Sequence, residues 1–282
     1  MNQSDYEIGV DLDYPYDLRE MLTAASVTHA LGNKSIDNVR KTYLGSLSYE
    51  DDPGGDKRLD RKFREGVLRS VYSEYERLSG RFTKLDVEPH SGRFVSFHTL
   101  SRIPYSIRKT FHLADTGSLL EVIAILRMIL EQMCWSLLIC DIEDADIALG
   151  KSVSGSIGNA KKSVPVVGEL YGWLSNHAHW HPSTHLKSFA SKDGRLFHLI
   201  NSSEYKAESY ILISIVSSLY VQIYSSVVAT CLREEMMPYD EAMLADCDPV
   251  RIIESIATAD PSYDLDEKLK TIATAVWRPT NG

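Results

Sequence analysis

Ser118-Leu119-Leu120-Glu121-Val122-Ile123-Ala124-Ile125-Leu126-Arg127-Met128-Ile129-Leu130-Glu131-Gln132-Met133-Cys134-Trp135-Ser136-Leu137-Leu138-Ile139-Cys140 is the stretch that decides the fold class. Its first four residues read as a capping box, in which the serine hydroxyl accepts the N3 amide and the glutamate reaches back to the cap amide. From there the spacing predicts one helix to about Cys140, about 33 Å long at about 1.5 Å per residue. Leu120, Val122, Ile123, Ile125, Leu126, Ile129, Leu130, Trp135, Leu137 and Leu138 cover nearly every side, so this helix is expected to be buried.

A second apolar run, Ser209 to Leu232, carries no charge and is long enough to cross a hydrocarbon core of about 30 Å. Ser214, Ser218, Gln222 and Ser225 recur at helical spacing and make a polar, small-residue stripe opposite Ile211, Ile215, Leu219, Ile223 and Val227. Such a stripe suits a central helix packed closely inside a bundle, and that is the expectation here rather than a membrane span. The flanking Glu208, Arg233, Glu234 and Glu235 give no positive-inside bias.

Around these two rods the pattern is again helical. Helices are predicted over Leu18–Leu31, ending at Gly32-Asn33, and over Lys57–Leu78, with Phe63, Val67, Val71 and Tyr75 on the apolar face. Another should run from Ser163 towards Trp180, with Pro165 in its first turn and His181-Pro182 as the stop. Short helices are expected at Pro249–Thr258 and Asp264–Ala275. Tyr49–Asp56 reads as a loop, and 141–163 as an acidic, then Ser/Gly-rich connection. Two β-hairpins are predicted, one within 81–99 about Pro89-His90-Ser91-Gly92, the other about Ser191-Lys192-Asp193-Gly194 and packed on the bundle. The expected class is therefore mainly α, a helical bundle with one or two small β-hairpins. Its parts are an acidic, loosely held arm (1–17), an N-terminal helical region (18–112), a core bundle (113–237) and a short-helix tail (238–282).

Composition narrows the function classes. The chain has 282 residues, 44% of them hydrophobic and 24% charged, which excludes disordered and low-complexity classes. A net charge of −9 argues against a broad basic face tracking duplex nucleic acid, though not against a local patch. The densest basic run is Lys57-Arg58-Leu59-Asp60-Arg61-Lys62-Phe63-Arg64 with Arg69; it reads as a solvated helix face balanced by Asp60, Glu65, Glu74 and Glu76, or as a nucleic-acid contact. Four cysteines without CxxC pairing read as reduced thiols of a cytoplasmic protein, and the acidic opening is unlike a signal peptide.

Several residues could carry chemistry. Gly150-Lys151-Ser152 is not a P-loop: position 145 is alanine where a glycine is needed, and an acidic run precedes it instead of a strand. Arg127 and Glu131 share a face of the apolar helix; they are either a salt bridge that fixes helix packing or the charged lining of a pocket. On the helix that follows, Tyr171, Ser175 and His179 fall in one line. His177, His181 and His185 have ligand-like spacing, but Pro182 interrupts their helix and no carboxylate supports them, so no metal and no cofactor is expected. Cys134 and Cys140 show none of the electropositive setting of a nucleophilic thiolate.

Arg127-x3-Glu131 on a buried helix, followed by Tyr171-x2-Leu174-Ser175-x3-His179 and a Pro-Ser, resembles the DUF5677-like proteins, a bacterial group that looks HEPN-like. The resemblance spans about residues 100–230. It implies a helical bundle related to RNA-cleaving toxins and phage-defence effectors, commonly completed as a homodimer, with RNA as substrate and a protein partner as a further option. HEPN ribonucleases carry Arg-x4–6-His within one helix, whereas Arg127 and His179 belong to different helices. For a ribonuclease the resemblance implies metal-independent chemistry. His179 would move the ribose 2′-hydroxyl or leaving-group proton, and Arg127 would stabilise the phosphorane. Glu131 would orient the arginine, with Ser175 or Tyr171 adding hydrogen bonds. Lys57, Arg58, Arg61, Lys62 and Arg64 would be the nucleic-acid contacts. The alternative is a non-catalytic interaction module in which the same cluster is structural.

Overall fold

The computed structural model describes residues 16–32, 35–41, 57–82, 91–178, 189–192, 195–198, 203–233, 245–259 and 265–277. The described chain is mainly helical and falls into two compact units, Met1–Gly55 and Asp56–Gly282. The first holds α1 (Tyr16–Leu31) and α2 (Ile36–Val39), which bury Ala24 and Val39 and are tied by Arg40 donating to Glu20 at 2.8 Å.

The second unit is built on α5 (Leu119–Ile139) and α9 (Ser203–Leu232), which pack against each other. The other helices of this unit are α3 (Lys57–Phe82), α4 (Gly92–Asp115), α6 (Ala145–Leu149), α7 (Val153–Ser163) and α8 (Val166–Ala178), followed by α10 (Pro249–Ala259) and α11 (Glu267–Trp277). α4, α7 and α8 cover α5, whereas α3, α4, α10 and α11 cover α9. One hydrophobic core runs from Val67 on α3 to Val276 on α11, so residues before 113 and after 237 share it with the segment between. Each fully buried Leu, Ile or Val in that core contributes about 1.5–3 kcal/mol relative to exposure.

α9 explains its own polar stripe. Ser214 and Ser218 both donate to the Cys247 carbonyl, at 2.5 and 2.9 Å, and Gln222 Nε2 donates to the Val276 carbonyl at 3.2 Å. Ser214, Ser218 and Gln222 thus seat the C-terminal segment by supplying donors to its carbonyls, whereas the buried Ser225 Oγ has no hydrogen-bond partner among the described residues. Both α5 and α9 are long and apolar enough to cross a membrane, with half of the α5 window and 89% of the α9 window buried inside the fold.

Several expectations need correction. The capping box does not form: Ser118 makes no side-chain cap bond, and its hydroxyl instead pairs with that of Thr116 at 2.9 Å. Ser118 has ψ 65, away from the extended geometry that aims a capping hydroxyl at N3. The supposed connection 141–163 contains α6 and α7, capped by Asp144 and Ser152, whose side chains accept amides of their first turns. The hairpin expected within 81–99 is overturned by α4, which starts at Gly92 with Ser91 as its N-cap; 83–90 lie outside the described residues. Near 191–194 the backbone sets Phe189–Lys192 antiparallel to Arg195–His198, but a hairpin packed on the bundle is not supported. The Tyr49–Asp56 loop and residues 1–15 of the arm lie outside the described residues.

Gly92 shows how tightly α4 enters. Its amide donates to the Ile142 carbonyl at 2.8 Å, and a Cβ there would meet the carbonyl oxygens of Ile139 and Ile142. Only glycine lets the start of α4 lie directly on the end of α5.

Candidate functional site

Arg127 sits midway along α5, and the i, i+4 geometry of the helix puts Glu131 one turn above it on the same face. Arg127 Nε donates to Glu131 Oε1 at 3.1 Å, with side chains 22% and 24% exposed. α8 packs on α5 and brings Tyr171 to the same place. Its hydroxyl accepts from Arg127 Nη2 at 3.4 Å, and the guanidinium carbon lies 5.4 Å from the ring centroid. Burial pulls the Arg127 pKa down, but the Tyr171 hydroxyl and the Glu131 carboxylate outweigh it and hold the group above its ordinary range. The result is a permanently charged guanidinium, held by a carboxylate and a phenol and still reached by solvent.

Ser175 lies one helical turn beyond Tyr171 on α8, and its buried Oγ has no hydrogen-bond partner among the described residues. Arg127, Glu131 and Tyr171 therefore converge, with Ser175 next along the same helix line. His179 lies outside the described residues, as α8 is described to Ala178. Further along α5, beyond Glu131, burial and then the Glu131 carboxylate push the Cys134 thiol up to about 12, so it is no nucleophile near neutral pH.

His177 faces elsewhere. Its ring stacks on Trp173 with centroids 3.8 Å apart, and Nδ1 is 2.8 Å from the Trp173 carbonyl. Trp173 in turn donates from Nε1 to Asp266 Oδ2 at 3.3 Å, joining α8 to the start of α11. His181 and His185 lie outside the described residues. Among the described residues no three His, Cys, Asp or Glu side chains group as metal ligands.

The basic run on α3 is partly engaged in packing. Arg64 pairs with Asp115 at 2.6 Å, and Asp115 also accepts from the Tyr210 hydroxyl. Lys62 and Arg69 are exposed, whereas the side chains of Lys57, Arg58 and Arg61 lie outside the described residues. Glu74 is not part of a solvated face. It is 4% exposed and takes two hydrogen bonds from Arg77, at 2.8 and 2.5 Å. Around it stand Tyr75, Tyr220 and Tyr224, and burial followed by the neighbouring Tyr75 and Glu74 raises the Tyr224 phenol. That buried cluster escaped the sequence reading, though Glu74 falls between the core positions Val71 and Leu78.

A pair of thiols also escaped it. Cys140, at the C-terminal end of α5, and Cys231, in the last turn of α9, are both buried, and the Cys231 thiol points at the Cys140 carbonyl at 3.7 Å. Periodicity within either helix carries no signal for a contact between residues 91 positions apart. Compared with protein-family models, with curated proteins and with solved structures, this chain finds no match.

Proposed function

We propose that this chain is a HEPN-like, RNA-targeting protein of the antiviral-defence or toxin class, acting in the cytoplasm as a homodimer by metal-independent ribonuclease chemistry. One observation supports this reading above the others: Arg127 is fixed from two sides by Glu131 and Tyr171 yet remains about a fifth exposed. A guanidinium held in that way is preorganised to meet negative charge that develops on a phosphoryl group. Tyr171 and Ser175 supply hydroxyls along the same line, and His179, the next position at helical spacing, would be the proton carrier.

The test uses the full-length chain and end-labelled single-stranded RNA in buffer with EDTA. Cleavage should persist with the chelator, and Arg127→Ala and His179→Ala should each lower it at least about 100-fold, the low end of a positioned acid–base or charge-stabilising group. Wild-type protein that leaves RNA intact, or variants that cleave normally, would overturn the proposal.

A second reading, a non-catalytic interaction module, draws on the way Arg127, paired with Glu131 on its own helix, stitches α5 to α8 through Tyr171. In that case Arg127→Ala would act on folding and leave no activity difference to measure.

A further inference from the structure

We propose that Cys140 and Cys231 are a dithiol modification site, closed to an intramolecular disulfide by hydrogen peroxide. The two residues end the two central helices; the Cys231 thiol lies 3.7 Å from the Cys140 carbonyl oxygen, and the Cys140 thiol donates to the Leu137 carbonyl at 3.3 Å. Neither is bridged in the structure. The start of α4 crosses the same place, where Gly92 donates to Ile142, and it puts the Arg93 guanidinium close enough to act on Cys231.

The surroundings divide the roles. The neighbouring Cys140 thiol and the Arg93 charge lower the Cys231 thiol against burial and Asp141, and its proton has only a long contact, 3.7 Å to the Cys140 carbonyl, so Cys231 is the attacking sulfur. The neighbouring Cys231 thiol and burial hold Cys140 up, and its thiol donates to the Leu137 carbonyl at 3.3 Å, so it keeps its proton until the second step. Cys134 and Cys247, each pushed up to about 12 by burial, are internal controls that should stay reduced. In the first step the Cys231 thiolate attacks one peroxide oxygen, breaking the O–O bond to give a sulfenic acid and hydroxide. The hydroxide takes the proton released from Cys231. In the second, the Cys140 sulfur attacks the Cys231 sulfur and displaces the hydroxyl, which leaves as water with the Cys140 proton. Two thiols and one hydrogen peroxide become one disulfide and two waters. Transient bridges of this kind are the form disulfides take in a reducing compartment.

The experiment treats the native full-length chain with hydrogen peroxide, then denatures it, blocks remaining thiols with N-ethylmaleimide and maps peptides without reductant. Two of the four thiols should be lost, in a linked peptide pair containing Cys140 and Cys231 that dithiothreitol separates. Cys231→Ser should leave Cys140 alkylatable after the same treatment. Four alkylatable thiols, a bridge to Cys134 or Cys247, a bridge between chains, or sulfinic acid on Cys231 without a bridge would each overturn the proposal. The wild-type map decides the question even where a serine variant folds poorly.

Discussion

Arg127→Ala separates a working site from a helix clamp, and the exposures set the size of its effect. A buried ion pair that loses one partner costs about 3–5 kcal/mol, because the other charge is stranded. Here Glu131 keeps 24% of its side chain in solvent, so the carboxylate left behind can be hydrated. The pair itself then contributes about 0.2–1 kcal/mol, as partly solvated pairs do. The guanidinium over the Tyr171 ring, at 5.4 Å, adds about 0.5–1 kcal/mol, and the 3.4 Å hydrogen bond is too long to add much. The expected loss is about 1–2 kcal/mol, small against a typical domain stability of about 5–15 kcal/mol. Tyr171→Phe keeps the ring and loses only the long bond, for about 0.5 kcal/mol. Urea unfolding followed by circular dichroism measures both, and the double variant should show coupling of at most about 0.5 kcal/mol, the share of the hydroxyl. A loss above about 3 kcal/mol for Arg127→Ala would refute the reasoning: the pair would then be sealed, and any lost activity would report unfolding.

Ser118→Ala should cost less than about 0.5 kcal/mol, against about 1 kcal/mol for a working cap, because its hydroxyl pairs with Thr116 instead of an amide of α5; thermal melts decide between them. Gly92→Ala should cost about 2–4 kcal/mol by driving a methyl group against the Ile139 and Ile142 carbonyls and loosening the Gly92–Ile142 bond. Gly158→Ala, where an added Cβ meets nothing within 4 Å, should instead stabilise by about 0.5–1 kcal/mol, and equal effects of the two changes in urea would contradict the packing. A chain ending at residue 237 loses the buried Leu265, Leu269, Ile272 and Val276, on the order of 6–12 kcal/mol. It should show no cooperative melt, and a sharp transition at the full-length temperature would show that 238–282 are dispensable.

The two core helices were legible because their apolar residues leave no wide polar face, and that property survives any tertiary detail. α4 was not. Val95, Ser96, Phe97 and His98 alternate apolar with polar, and Pro104 sits inside the helix, so local signals pointed away from a continuous rod. What decides α4 is the buried series Ser96, Leu100, Ile103, Ile107, Phe111 and Ala114, which recurs at helical spacing over a longer window than the alternation. The failed capping box has a related cause. A sequence signature names a donor and an acceptor, but the backbone angle at Ser118 is set by the turn from α4, where Ser118 N donates to the Leu113 carbonyl.

The candidate site was legible in the same uneven way. Arg127 and Glu131 stand out because a charge inside an apolar helix needs a partner, and helical spacing supplies one within the same chain segment. Tyr171 could be placed on a line with Ser175, yet its meeting with Arg127, 44 positions away, depends on how α8 is rotated against α5. The same limit hid the contact between Cys140 and Cys231 and turned Glu74 from a solvated charge into a buried one. Periodicity fixes which face of a helix is apolar, and packing of ridges into grooves fixes which residues of two faces touch. A pair within one helix can therefore be read from spacing alone, whereas a pair between helices needs the packed bundle. The Arg127 cluster combines both kinds: its carboxylate comes from the helix period and its phenol from the packing. Tyr171→Phe removes only the second, which is why the coupling measured between those two positions tests the α5–α8 arrangement itself.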